Sequence, residues 1–323
     1  MDLILKQAAE AILKSQRLIV TTHVHPDGDA IGSSTALYLA LKELGKSVLL
    51  VLDDSVPESF YFLKGSRDFI LPEDTQFGED VTLILLDCAD VRRAGEKIYK
   101  VISQCGTIIN IDHHEGNNNY GTINCIDIEA AATGEIVYKL LKLFTNNIND
   151  DIANALYTAL TTDTGSFMYD NTTEKSFLLA RELVLLGASI SKIRTNIWES
   201  KSEDSLRLMA DILATLTVTY NSKVSYIVAT KEILTKYNVH SSELEGIINY
   251  PKSIIGVAVA IFFKEISDKE VRVSFRAKDE VDVRTIANRF GGGGHKKAAG
   301  CSINLPLETA IYEVLDYVES YIK

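Results

Sequence analysis

The 323-residue chain has no long apolar run. The longest, Ile254–Phe263, falls well short of the ~20 residues that span a bilayer, and it reads as a buried strand. The N-terminus lacks a basic leader, an extended apolar segment and a small-residue cleavage site, so Met1 to Gln16 reads as an amphipathic helix and the protein is expected in the cytoplasm. Cysteine is scarce. Cys88, Cys105, Cys125 and Cys301 have no CxxC spacing, which argues against a zinc knuckle or a disulfide framework and for small apolar fillers. Positive charge is also short. A net charge of −11 excludes a surface that grips long nucleic acid along its backbone. Any nucleotide must be small and held by a local basic patch.

What is present is an ordinary globular balance, 46 % apolar and 24 % charged, in a chain long enough for two domains. Strand-like LIVTT at 18–22 leads into the loop HVHPDGDAIGS, a helical pattern over 31–44 stopped by Gly45, and a second strand at 47–52. VTLILL (81–86) and TIINI (107–111) are continuous apolar runs of the fully buried kind. Helical patterns follow at 133–145, 151–161, 174–187 and 190–216. Alternating strands and helices predict an α/β domain with a mostly parallel sheet over 1–190 and a helical linker over 191–216. The β-branched segments KVSYIVAT, SIIGVAVAIFF and VRVSFRA predict a smaller mixed α/β domain over 217–323.

The ionisable residues cluster at the ends of these elements. His23, Asp27 and Asp29 follow the first strand, Asp87 follows another, Asp112, His113 and His114 end a third, and Asp163 ends a helix. Ligands of open α/β sheets bind at the carboxyl ends of strands, so these groups are expected to meet. Carboxylates crowded together repel one another unless cations neutralise them. Oxygen and nitrogen donors without sulfur suit Mn²⁺, with Mg²⁺, Co²⁺ or Fe²⁺ as alternatives. Asp87 is the candidate to bridge two metals, which at ~3.5–4 Å can generate hydroxide and neutralise a phosphate in flight. Each residue also has a plainer reading. Asp27 and Asp29 suit a turn or a helix N-cap, Asp87 a loop acid, and His25 and His240 structural or solvated roles.

In the second domain, Gly291, Gly292, Gly293 and Gly294 read as a flexible loop able to approach an anion closely. Seven basic residues within 272–297 (Arg272, Arg276, Lys278, Arg284, Arg289, Lys296, Lys297) stand against Asp279, Glu280 and Asp282. Arg276 and His295 are the leading phosphate-binding candidates; Arg284 and Lys297 are weaker ones.

HVHPDGDAIGS, LLDCAD, NIDHHEGN and TTDTGSF resemble the four motifs of the DHH phosphoesterase superfamily, and VSFRA with GGGGHKKAAG resembles its DHH-associated C-terminal domain. Within that superfamily the chain resembles the bacterial NrnA-like nanoRNase branch. The resemblance implies a metal pair held by His23, Asp27, Asp29, Asp87, His113 and Asp163, with His114 facing the substrate phosphate and Asp112 orienting the imidazoles. It implies a phosphodiesterase that cuts oligoribonucleotides of about 2–5 nucleotides to 5′-mononucleotides and removes the 3′-phosphate of 3′-phosphoadenosine-5′-phosphate. The second domain would grip the far end of the substrate, and a homodimer through the first domain is expected only by resemblance. Met168 departs from the pattern, since many relatives carry Arg there. The rival readings are a linear or cyclic dinucleotide phosphodiesterase acting on pGpG, pApA or cyclic di-AMP, and a non-catalytic nucleotide-binding regulator.

Overall fold

In the computed structural model, which describes residues 1–237, 239, 244, 246–278 and 280–322, the chain divides into two units, Met1–Ser200 and Lys201–Lys323. His240 and Asp279, singled out above, lie outside the described residues.

Unit 1 contains strands β1 (Arg17–Thr21), β2 (Val48–Val51), β3 (Phe69–Ile70), β4 (Val81–Leu86), β5 (Thr107–Asp112) and β6 (Ile123–Ile126). Its helices are α1 (Asp2–Lys14), α2 (Gly28–Glu43), α3 (Glu96–Val101), α4 (Thr133–Leu141), α5 (Asp150–Asp163), α6 (Glu174–Leu185) and α7 (Ile190–Trp198). All six strands are parallel, in the order β3-β2-β1-β4-β5-β6. The runs VTLILL and TIINI form strands because helices cover both faces. Leu18, Val20, Ile84 and Leu86 pack with α1, α2, α4 and α5, while Ile19, Leu83 and Leu85 pack with Ala94 and Ile98 on the other side. Strand order reverses at β1, between β2 and β4, and the carboxyl ends of β1, β4 and β5 open on the crevice that follows.

Helix α2 lies unusually close to α5. A Cβ built on Gly32 would sit 2.4 Å from the Ala155 carbonyl oxygen and 2.8 Å from the Ala159 nitrogen, so only glycine allows this approach.

Unit 2 contains α8 (Glu203–Ala214), β7 (Thr217–Thr219), β8 (Val224–Ala229), α9 (Lys231–Thr235), α10 (Asn249–Ser253), β9 (Val259–Ser267), β10 (Glu270–Ala277), α11 (Val283–Arg289), β11 (Gly293–His295), β12 (Ala298–Ile303) and α12 (Leu307–Ile322). Its sheet runs β11-β12-β10-β9-β8-β7, antiparallel except at β8–β9. Val259, Ile261, Val273 and Phe275 face α11 and α12; Ala260, Phe262 and Ile227 face α8.

Three expectations need correction. The helical stretch at 190–216 is two helices, because Ser202 starts a new one: its Oγ accepts from the Ser205 N–H at 3.0 Å, ahead of the acidic first turn Glu203–Asp204. The apolar run 254–263 enters the sheet only at Val259. Gly256 turns the chain at φ 84°, and Ile255 is 95 % exposed. The four-glycine segment is not wholly a loop, since Gly293 and Gly294 pair with Gly300 and Ala299 as an edge strand. Among the described residues no helix is long and apolar enough to cross a membrane.

Candidate metal centre and phosphate-binding face

The residues between β1 and α2 form the first part of the centre. His23 is buried, and its Nδ1 lies 2.9 Å from the Val24 carbonyl, which places the proton on Nδ1 and turns Nε2 inward. Asp27 divides its carboxylate. Oδ1 caps α2 by accepting from the N–H groups of Asp29 and Ala30, and Oδ2 lies 3.9 Å from His23 Nε2. The N-cap reading therefore holds for this residue, and capping leaves its second oxygen turned toward His23. A Cβ on Gly28 would meet the Thr162 side chain at 2.4 Å, so glycine brings this loop against the end of α5.

Asp87 lies at the middle. It follows β4 in a left-handed conformation, φ 55°, a region that aspartate tolerates better than most side chains. Its Oδ2 is 3.4 Å from His23 Nε2, and its Oδ1 is 3.6 Å from His113 Nε2. From the end of β5, His113 directs Nδ1 to the Ala130 carbonyl at 3.1 Å, and its Nε2 lies 3.9 Å from Asp29 and 3.3 Å from Asp163. Asp29 is fully buried, and its two oxygens accept from the N–H groups of Thr133 (2.6 Å) and Gly134 (3.0 Å) at the start of α4.

All six of His23, Asp27, Asp29, Asp87, His113 and Asp163 thus come together, in overlapping groups whose ligand atoms lie within 4.8 Å of one another. Both histidines that face the carboxylates hold their Nδ1 on a backbone carbonyl and offer Nε2, the arrangement found for metal-ligating imidazoles. The carboxylates show the strain of this crowding. Burial, then the charges of Asp87, Asp163 and Asp27, hold Asp29 well above the usual carboxylate range. Burial likewise pushes Asp163 up to about 7. Asp87 goes the other way: burial opposes its ionisation, but the hydrogen bond from His23 and the nearby His113 and His23 charges outweigh that and hold it low. An all-oxygen-and-nitrogen donor set with this excess of negative charge fits divalent cations.

His114 is placed differently. Its Nδ1 is 2.7 Å from Asp112 Oδ1, so any substrate contact falls to Nε2. Asp112 is fully buried, and its other oxygen accepts from Asn117 Nδ2 at 2.6 Å. Asn117 Oδ1 in turn accepts from Asn110 Nδ2 at 2.9 Å. Burial lowers the His114 pKa, but the Asp112 hydrogen bond and the Asp87 charge raise it more, to about 9. Asp112 accordingly orients His114; His113 rests on a carbonyl instead.

Sequence reasoning missed the segment 130–134. It supplies the Ala130 carbonyl, the Thr133 and Gly134 N–H groups, and the Thr133 hydroxyl, which donates to Asp87 Oδ1 at 3.1 Å. Its one readable signal is small residues ahead of a helix N-terminus, where the dipole favours an anion such as Asp29. Arg93 was also missed. Its carbonyl accepts from the Val24 N–H at 2.7 Å, and its charge opposes, as a smaller effect, the net rise in the pKa of His23 and His114. His25 is mostly exposed and pairs with Asp54 at 3.0 Å. Met168 is 79 % exposed.

In unit 2, Arg276 and His295 both pair with Ala298 across β10-β12-β11, so the two side chains lie in one row on one face of the sheet. The next row on that face is Ser274, Gly300 and Gly293, a floor without large side chains. Gly291 and Gly294 have positive φ, at 74° and 138°. A Cβ on Gly292 would sit 2.1 Å from the Gly300 carbonyl oxygen. Some of the basic patch is engaged: Lys296 pairs with Glu280 at 3.1 Å and Arg284 with Asp282 at 3.3 Å. Lys297 is half-buried, and its carbonyl accepts from the Ala277 N–H.

Comparison with known proteins agrees with this geometry. Residues 17–161 match the DHH family, N-terminal domain, and residues 222–323 match the DHHA1 domain. A bifunctional oligoribonuclease and PAP phosphatase, NrnA, of Thermus thermophilus is 32 % identical over 303 residues, covering 93 % of this chain and 89 % of that protein. The Bacillus subtilis protein of the same name is 30 % identical over 88 % of this chain and 89 % of its own length. Among solved structures, an exopolyphosphatase-related protein from Bacteroides fragilis superposes with a TM-score of 0.91 at 27 % identity, covering 99 % of this chain and 96 % of that one. Two matched domains in order and relatives of this similarity over almost their full lengths lead to one conclusion: the chain belongs to the DHH family and carries a DHHA1 domain.

Proposed function

We propose that this chain is a divalent-cation-dependent phosphodiesterase that hydrolyses single-stranded oligoribonucleotides of about 2–5 nucleotides to 5′-mononucleotides and removes the 3′-phosphate of 3′-phosphoadenosine-5′-phosphate. The observation that carries this reading is the meeting of four carboxylates with two inward-facing imidazole Nε2 atoms at the carboxyl edge of one parallel sheet. The names of the relatives above support the substrate class.

In this reading His23, Asp27, Asp29, Asp87, His113 and Asp163 hold two cations, with Mn²⁺ preferred over Mg²⁺ or Co²⁺. Asp87 would be the ligand available to both, since its two oxygens face different histidines. When bound, such a pair supplies charge neutralisation on the phosphoryl oxygens and activates water near neutral pH. The protein's own groups do the rest. His114 donates from Nε2 to a phosphoryl oxygen as charge builds there. Asp112, fixed by Asn117, keeps the His114 ring in orientation and stabilises its protonated form. Arg276 and His295 bind a second phosphate or the sugar of the substrate, Lys297 adds charge nearby, and Gly291 to Gly294 let backbone come close to it.

Incubating the protein with Mn²⁺ and end-labelled RNAs of increasing length tests the reading. Dinucleotides and trinucleotides are expected to be cleaved at least tenfold faster than a strand of about 20 nucleotides, with 5′-mononucleotides as products and AMP from 3′-phosphoadenosine-5′-phosphate. Equal rates on long and short strands, or no turnover of a dinucleotide, would refute it. For the second unit, Arg276→Ala is expected to raise KM about tenfold with kcat nearly unchanged, the loss of one charge-assisted hydrogen bond. Unchanged kinetics would remove Arg276 from the substrate.

A further inference from the structure

The carboxyl edge of the unit 1 sheet holds a second concavity, away from the carboxylate cluster and toward the β2–β3 end. It is a cavity of about 660 Å³, within the roughly 300–1,000 Å³ of small-molecule sites. Val56, Phe69, Ile70 and Leu71 give it apolar walls, and Tyr61 and Arg67 stand at its side. The Arg67 guanidinium carbon lies 4.6 Å from the centre of the Tyr61 ring. Arg67 makes no ion pair among the described residues, although Asp54 and Glu58 line the same cavity. The platform is fixed locally. The Tyr61 N–H donates to the Glu58 carbonyl, and buried Phe60 and Leu63 on either side anchor the turn. One hydrogen bond ties the cavity's wall to the loop that carries part of the cluster: Asp54 accepts from the His25 N–H at 2.8 Å, and His25 lies in sequence between His23 and Asp27.

We propose that this cavity is a nucleobase subsite, in which one base of the substrate stacks against the Tyr61–Arg67 pair while its phosphate lies at the carboxylate–histidine cluster. The stacking of the base stands on the cavity alone, and the placement of its phosphate rests on the phosphodiesterase reading. A bare phosphate does not suit the cavity, because Asp54 and Glu58 outnumber its single cation. A purely apolar ligand does not suit it either, because half its wall is polar or charged. A base meets both conditions. Its face is apolar and polarisable and stacks on phenol or guanidinium, and its edge carries N–H donors for the carboxylates.

The test separates the subsite from the chemistry. The fluorescent nucleotide 2-aminopurine riboside 5′-monophosphate is titrated into the full-length protein, and stacking is read as quenching. Wild type is expected to quench it. Tyr61→Ala is expected to bind about tenfold more weakly, and Tyr61→Phe, which keeps the ring, within twofold of wild type. Tyr61 is 37 % exposed, so its removal leaves the core intact. Absence of quenching in wild type, or equal affinity in wild type and Tyr61→Ala, overturns the proposal. A parallel kinetic arm uses a ribodinucleotide and its two single-abasic analogues. Tyr61→Ala should raise KM about tenfold on the intact substrate and leave it unchanged on the analogue that lacks the stacked base. An equal loss on all three substrates also overturns the proposal. Should wild type bind 2-aminopurine through Tyr61 yet cleave no dinucleotide, the phosphodiesterase reading falls and the base-binding site stands.

Discussion

Replacing Asp87 by asparagine is expected to lower dinucleotide hydrolysis, on the proposed reading, by about 10³-fold, a barrier increase of roughly 4 kcal/mol. The size follows from its place. Asp87 touches both halves of the cluster, with Oδ2 toward His23 and Oδ1 toward His113, His114 and the Thr133 hydroxyl. Asparagine is chosen over alanine because residue 87 has φ 55°. Alanine in that left-handed region costs ~1–2 kcal/mol and would mix a folding defect with a chemical one, whereas asparagine tolerates the region and keeps an oxygen for Thr133. The variant removes one negative charge and replaces one of the two carboxylate oxygens that face the histidines by an amide nitrogen. Thermal unfolding gives a second readout independent of turnover. A cation that binds only the folded state at 100 times its Kd stabilises it by ~2.7 kcal/mol. Added Mn²⁺ is therefore expected to raise the wild-type melting temperature by several degrees, and the Asp87→Asn variant by much less. Activity within tenfold of wild type, together with an undiminished Mn²⁺ shift, would show that the cluster is not where the cations act.

The cluster was legible because its residues sit where elements end, and those ends were readable. VTLILL is bounded by the structure at the same residues as by its apolar run, and TIINI differs by one, since Asp112 is still strand. Buried parallel strands lack the period-2 pattern but make up for it with unbroken apolar composition. Two classes of feature left no such trace. Phe69–Ile70 is a strand of two residues, too short for any periodicity, yet it walls the cavity beside Tyr61. The segment 130–134 acts through backbone groups, the Ala130 carbonyl and the Thr133 and Gly134 N–H, and side-chain composition does not encode where those point. The glycine segment at 291–294 was misread for a related reason. Glycine permits a loop, but pairing with β12 decides that Gly293 and Gly294 are strand. The break near 200 was readable from Ser202 and the acidic residues after it, an N-cap signal hidden inside a longer helical period.

The Gly32→Val variant is expected to unfold unit 1 at a temperature about 6–12 °C lower, a loss of roughly 3 kcal/mol. Two effects oppose each other. Helix propensity favours valine over glycine by a few tenths of a kcal/mol. Packing opposes it, because the new Cβ would lie 2.4 Å from the Ala155 carbonyl oxygen and 2.8 Å from the Ala159 nitrogen, which are backbone atoms of α5 and cannot rotate away. Overpacking of this kind costs ~1–3 kcal/mol and occasionally more, so packing wins and the sign is destabilising. The consequence reaches the chemistry, since α2 carries Asp29 at its start and α5 ends in Asp163. Pushing the helices apart moves both relative to His113 Nε2, which now lies 3.9 Å from one and 3.3 Å from the other. Activity should therefore fall more steeply than stability alone explains, even at temperatures where the variant remains folded. Gly116→Ala is the matched control, because a Cβ there meets nothing within 4 Å. Circular-dichroism melts of the two variants decide the matter: a Gly32→Val protein as stable as wild type would mean that α2 and α5 do not need this close approach, and that the distances across the cluster are set elsewhere.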